Sequence, residues 1–202
     1  MSRARILLLA TALAIAFLVF GCSTYSEFDG AGTDIGGECG DDLRWTYSDC
    51  MLTISGTGAM ANYSSSNKAP WNSYYESITS IIVGSGVTTI GSYAFDDCTK
   101  ITTLELPSDL KTIGAYSFNN CTSLTELTIP PAVSSIDKTS FSGCTGITSL
   151  RYQTGLCGDF KQDTTPFSFL GSSEGMTVII ANGIYRVPAY LLYGNTKGLL
   201  TN

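Results

Sequence analysis

Apolar side chains recur along this chain with a constant step of 23 in sequence (101 − 78, 124 − 101, 147 − 124). Ile78, Ile101, Leu124 and Ile147 form one column; Ile81, Leu104, Leu127 and Leu150 form a second. Val87, Leu110 and Val133 keep the same step, as do Ile90, Ile113 and Ile136, and Phe95, Phe118 and Phe141. Cys98, Cys121 and Cys144 complete the set. Within one unit, Leu104 and Leu106 are two apart and point to one face of a strand, while Thr103 and Glu105 point to the other. Pro107 and Pro130 end that strand, because proline cannot donate to a ladder. Ile113 begins a second inward stretch, Gly114 marks a turn, and Phe118 fills the core from the opposite wall. One unit cannot bury this apolar set alone, but units stacked at about 4.8 Å in a parallel sheet bury it continuously.

A period of this length, with the L-x-x-L-x-L spacing of Ile101, Leu104 and Leu106, predicts a leucine-rich-repeat array. The expected fold is a repeat solenoid, mainly β with short helical or 3-10 turns, built on a parallel sheet. Ahead of it, Leu43–Tyr47 and Leu52–Ser55 read as a β-hairpin that, with a Trp71 anchor, caps the first rung. The columns break over residues 153–174, an expected irregular insertion. They then return as Val178, Ile180, Ile184, Val187, Leu192 and Asn195.

The Gly-x-x-Ala-Phe-x-x-Cys run at 91–98, together with Thr53-Ile54-Ser55-Gly56-Thr57-Gly58-Ala59-Met60 and Ala69-Pro70-Trp71, resembles the BspA-like leucine-rich repeat family of bacterial surface proteins. The resemblance covers residues 36–202. It implies adhesion, with host matrix proteins or other cells as typical partners.

The first residues have another purpose. Arg3 and Arg5 precede an apolar run from Ile6 to Phe20, too short for a comfortable membrane span, so residues 1–21 read as a signal peptide. Val19-Phe20-Gly21-Cys22 resembles a bacterial lipobox, which implies acylation of Cys22 and membrane attachment through lipid, at the outer membrane or cell surface. Residues 22–35 would then be the lipidated cysteine and a flexible tether, 36–76 the capping segment and 77–202 the array.

Composition narrows the chemistry. The chain of 202 residues has no histidine, which excludes a Ser-His-Asp or Cys-His pair and every histidine metal ligand. A net charge of −6 without a basic cluster argues against nucleic acid. Cys98, Cys121 and Cys144, with Asn195 at the fifth equivalent position, are expected to be small side chains satisfying buried backbone groups, with no metal and no cofactor. An exported chain permits disulfides, and the spacing of Cys39, Cys50 and Cys157 leaves a Cys39–Cys50 bridge open.

Two outward rows form the candidate binding face. One holds Ser80, Thr103, Glu126, Ser149 and Thr177; the other holds Ile82, Glu105, Thr128, Arg151 and Ile179. Glu105 and Glu126 are diagonal neighbours about 7 Å apart, a separation within the range of inverting glycosidases. A shallow ribbon cannot desolvate an acid, however, and Arg151 is expected to pair with Glu126. The leading expectation is therefore a non-enzymatic surface lipoprotein that binds proteins. A structural or self-assembling envelope protein is the main alternative, and a carbohydrate-active enzyme a remote one. No cap follows Leu199-Leu200, so the C-terminal edge is expected to be covered by a partner, by self-association or by further repeats.

Overall fold

The computed structural model describes residues 35–159, 165–167 and 177–182, with Ile184 and Pro188. Residues 1–34 with Cys22, and the column positions Val187, Leu192 and Asn195, lie outside the described residues. So does the C-terminal edge.

The chain opens as an antiparallel meander of β1 (Ile35–Glu38), β2 (Asp42–Ser48) and β3 (Met51–Ala59). In β2, Leu43 and Trp45 are buried and Asp42, Arg44 and Thr46 exposed, the alternation of a strand with one wet face. Ser48 pairs with Met51, and Asp49 and Cys50 between them both have positive φ (49° and 62°), the geometry of a tight two-residue hairpin. β1 was not foreseen: Ile35-Gly36-Gly37-Glu38 shows no alternation, and the strand takes Ile35 from the expected tether.

β3 is the rung on which both parallel ladders start. Its first half, Met51–Ile54, pairs with β4 (Ser80–Val83), which pairs in turn with β6 (Thr103–Glu105). Units further along continue this first wall as a separate three-stranded parallel sheet of β8 (Glu126–Ile129), β10 (Ser149–Tyr152) and β11 (Thr177–Ile180), with no ladder pairing between β6 and β8. The second half of β3, Gly58–Ala59, pairs with β5 (Val87–Ile90), followed by β7 (Thr112–Ile113) and β9 (Ser135–Ile136). A third wall of turns closes each unit. There the Tyr93, Phe95 and Asp97 N–H groups donate to Ala115, Ser117 and Asn119 carbonyls at 2.8–2.9 Å.

Side chains explain that wall. Asp97, Asn120 and Gly143, one per unit, have φ of 62°, 57° and 74°. Aspartate, asparagine and glycine are the residues that tolerate the left-handed region most readily. Gly114 is required for a different reason: a Cβ there would lie 2.8 Å from the Ser92 nitrogen of the preceding rung.

The core between the walls is a column of rings. Trp71 stacks on Phe95 at 5.6 Å, Phe95 on Phe118 at 5.1 Å, Phe118 on Phe141 at 5.4 Å and Phe141 on Phe167 at 5.8 Å. All five are essentially inaccessible. Trp71 also donates its indole N–H to Ala94 O at 2.7 Å, which locks the cap onto the first repeat.

Phe167, within the stretch 153–174 read as an irregular insertion, keeps to the ring column. It occupies the next ring position although its step from Phe141 is 26 (167 − 141) rather than 23, and Thr165 and Phe167 are buried. Ser149 pairs with Thr177, a step of 28 (177 − 149), so this unit is one repeat lengthened by five (28 − 23). The open question on Cys39 is also answered: its thiol is free and buried, so no Cys39–Cys50 bridge forms.

Candidate functional site

Within each of its two ladders, β3–β4–β6 and β8–β10–β11, the first wall lines up its outward side chains in register. Ser80 is opposite Thr103, and Ile82 opposite Glu105. Glu126, Ser149 and Thr177 are in register, as are Thr128, Arg151 and Ile179. Thr103, Glu105, Glu126, Thr128, Arg151 and Thr177 are exposed, while Ser80, Ile82 and Ser149 are half-buried. Ile179 is 38 % exposed, unusual for so large an apolar side chain on a strand.

Two further residues belong to this face. Met51 pairs with Ser80 and Thr53 with Ile82, so the hairpin strand adds a rung at the head of both rows. Met51 is 36 % exposed. Sequence reasoning missed them because the step from β3 to β4 is 29 (80 − 51) and so departs from the regular period. The available signal was Leu52-x-Ile54, which has the spacing of Ile81-x-Val83 and Leu127-x-Ile129.

The charges on the face stand apart. Among the described residues the ion pairs are Arg44–Glu38 at 3.9 Å and Lys68–Asp96 at 2.9 Å. The expected Arg151–Glu126 pair is not formed. Both side chains are exposed and diagonal, and holding two long side chains together in water costs rotamer entropy that a surface pair barely offsets. A cavity of about 250 Å³ is lined by Glu38, Asp41, Asp42 and Arg44 at the hairpin, and a groove of about 600 Å³ lies along the second sheet at Thr112, Ser135 and Asp137. Neither includes Glu105 or Glu126. Among the described residues, no group of three His, Cys, Asp or Glu side chains could hold a metal ion.

The cysteine column lies inside. Cys98, Cys121 and Cys144 are free and buried. The Cys121 thiol donates to Phe95 O at 3.5 Å and the Cys144 thiol to Phe118 O at 2.9 Å, each reaching a carbonyl of the preceding rung. Burial pushes the Cys98 thiol up to about 12 and raises Cys121 well above the ordinary thiol range. Both therefore stay protonated at neutral pH, the unreactive form. Cys39, buried at the cap, is pushed up to about 11 by the same loss of water.

This geometry, a stack of short parallel strands facing a wall of turns with one leucine-rich unit per rung, is that of a leucine-rich-repeat solenoid. The family model described as the BspA type leucine rich repeat region matches residues 72–197 in six copies, so the chain belongs to the BspA-type leucine-rich repeat family. No match is found among curated proteins. Among solved structures, a leucine-rich repeat protein from Eubacterium ventriosum shares the architecture, with a TM-score of 0.52 at 20 % identity, covering 76 % of this chain and 45 % of that one. A leucine rich cell surface protein from Faecalibacterium prausnitzii gives 0.49 at 15 % identity, covering 80 % and 43 %. The T. pallidum leucine rich repeat protein gives 0.39 at 19 % identity, covering 74 % and 87 %. The chain thus spans less than half the length of the first two.

Proposed function

We propose that this chain is an exported, lipid-anchored surface protein without enzymatic activity, and that the outward face of its first sheet wall binds other proteins. The observation that carries this reading is the face itself. Two rows of outward side chains follow the strands in two registered segments, Met51 and Thr53 to Thr103 and Glu105, then Glu126 and Thr128 to Thr177 and Ile179, mixing hydroxyls, carboxylates, one guanidinium and apolar groups. Such a ribbon suits the broad, chemically mixed contact of a protein partner better than the enclosed contact of a small solute. Export and anchoring are supported by the Arg3/Arg5 leader and Cys22.

The test is retention of host extracellular-matrix proteins or whole cells by the chain from residue 23 onward. Thr128→Trp, placed mid-face, is the blocking variant. Specific retention that Thr128→Trp abolishes supports the reading; retention untouched by that variant removes the face from consideration. For the anchor, palmitate labelling lost in Cys22→Ser is the expected result, and unchanged labelling rejects it.

A further inference from the structure

One strand of the first wall sits differently from its counterparts. Leu104 and Leu106, the inward side chains of the β6 segment, pack against the core but are only half-buried. Their equivalents one unit earlier, Ile81 and Val83, and one unit later, Leu127 and Ile129, are buried. Leucine goes inside as readily as isoleucine and valine, so residue type does not account for this.

The main chain parts at the same place. Between the first and second repeat units, the Thr102 and Thr103 N–H groups donate to Thr79 O at 2.9 and 3.3 Å. Between the third and fourth, the Thr148 and Ser149 N–H groups donate to Thr125 O at 2.9 and 3.1 Å. Among the described residues, the equivalent bonds from Thr125 and Glu126 to Thr102 O are not formed, and β6 pairs with β4 alone. The rest of the array stays joined across that boundary. Thr112 and Ile113 pair with Ser135 and Ile136, and the Phe118 N–H donates to Ser140 O at 2.9 Å. Phe118 also stacks on Phe141 at 5.4 Å and 5°. The array is thus tied along two walls and slit along the first.

We propose that β6 is a movable strand, hinged on its ladder with β4. In the lifted position of this structure the slit beside β8 is open. In the seated position Leu104 and Leu106 are buried, and the Thr125 and Glu126 N–H groups bond to Thr102 O. Seating gains apolar burial and hydrogen bonds. Lifting returns conformational freedom to the main chain and water to the slit. These terms oppose each other, which is the condition for a local opening that leaves the rest of the fold in place. Glu105 and Thr128 stand on opposite lips of the slit, so its closure alters the outline of the candidate binding face. The motion itself does not depend on that face binding anything.

Amide hydrogen exchange on the full chain in detergent, read residue by residue, tests the slit. Protection factors at Thr125 and Glu126 should be about tenfold or more below those at Thr148 and Ser149. A cysteine pair then closes it: Glu105→Cys with Thr128→Cys, oxidised with diamide, spans the slit. Thr128→Cys with Arg151→Cys, on the paired strands β8 and β10, is the control. The bridge between positions 105 and 128 should form and raise Thr125 and Glu126 to the protection of Thr148. The control bridge should leave them as they were. Equal protection at all four positions before oxidation overturns the proposal. So does a bridge across the slit that leaves the fast exchange unchanged. If the control pair bridges and the slit pair does not, β6 is fixed in its lifted place and the motion is rejected. Urea midpoints of the reduced variants near that of wild type show that each outcome is read on the intact fold.

Discussion

Two aromatic stacks run side by side through this array, and they differ in almost everything except geometry. Phe95 and Phe118 stack at 5.1 Å and 28° between the walls; Tyr93 and Tyr116 stack at 4.9 Å and 29° on the turn wall. The phenylalanines are 0 % exposed and continue into Phe141 and Phe167, while the tyrosines are half-buried and their column ends at Thr139. Each tyrosine also has a positive φ, 55° and 53°, which the phenylalanines do not. Ring contact alone therefore does not measure stabilisation. The apolar area removed from water, and the backbone conformation the residue must hold, decide it.

Phe118→Ala is the sharpest way to separate the two stacks. It removes a ring covered on both sides and leaves a cavity that packed neighbours fill only in part, so the loss should be about 3–5 kcal/mol. Urea denaturation measures it. A midpoint close to wild type would put the column on the surface and undo the register.

Alkaline titration probes the same interior without changing its shape. Cys98 ionises at about 12 when folded, because burial disfavours the thiolate, against an ordinary value of 9.0. The folded pKa is the higher one, so above pH 9 the unfolded chain releases its proton first and stability falls until about pH 12. Tyr63, pushed up to about 12 by burial, acts in the same direction from its ordinary 10.0. Cys98→Ser should reduce the slope of stability against pH in this window by up to about 1.4 kcal/mol per pH unit. An unchanged slope would mean that the thiol is not buried as described.

Gly143→Ala tests the turn wall that carries the tyrosines. Gly143 has φ of 74°, and a Cβ there would run into Oδ1 of Asn120, whose side-chain amide nitrogen donates to Asp97 Oδ1. The side chain must shift and an alanine must hold a left-handed backbone, a cost of about 1–3 kcal/mol. Gly143→Asn, by contrast, should cost less, since Asn120 already occupies the equivalent place in the preceding unit. Urea midpoints of the two variants check the order, and an alanine no worse than the asparagine would deny the left-handed turn its role.

What the sequence made legible follows from where the period holds. The rows of the first wall as far as Ser149 and Arg151, the phenylalanine column to Phe141 and the inward cysteines were readable because a constant step of 23 links each to the next, and Thr177 and Ile179, a step of 28 further on, were readable because Val178 and Ile180 resume the apolar columns beside them. Phe167, Met51 and Thr53 escaped because their steps are 26 and 29, although the strands and rings keep their spatial rungs. Loops absorb extra residues on the surface at little cost, so a period in space survives where the period in sequence does not. β1 escaped because a Gly-Gly strand has no face to read. The Asp97, Asn120 and Gly143 column escaped because its meaning lies in a φ angle that no hydrophobic pattern reports. The charge pairing of Arg151 failed for another reason: register fixes which side chains are neighbours, whereas water decides whether exposed neighbours hold each other.

The smallest effect is expected at Tyr116. Replacing it with asparagine removes a stack worth about 0.5–1.5 kcal/mol and some half-buried ring area. The same change relaxes a backbone that tyrosine holds at φ of 53°, a conformation asparagine tolerates. Its N–H bond to Thr139 Oγ1, 3.2 Å, is made by the main chain and survives the substitution. The two terms oppose each other, so Tyr116→Asn should lie within about 0.5 kcal/mol of wild type, the range of an ordinary surface change. Urea midpoints at unchanged m-value are the measurement. A loss approaching that of Phe118→Ala would show that the tyrosine pair is a second core rather than a surface stack, and that ring geometry outweighs burial in this array after all.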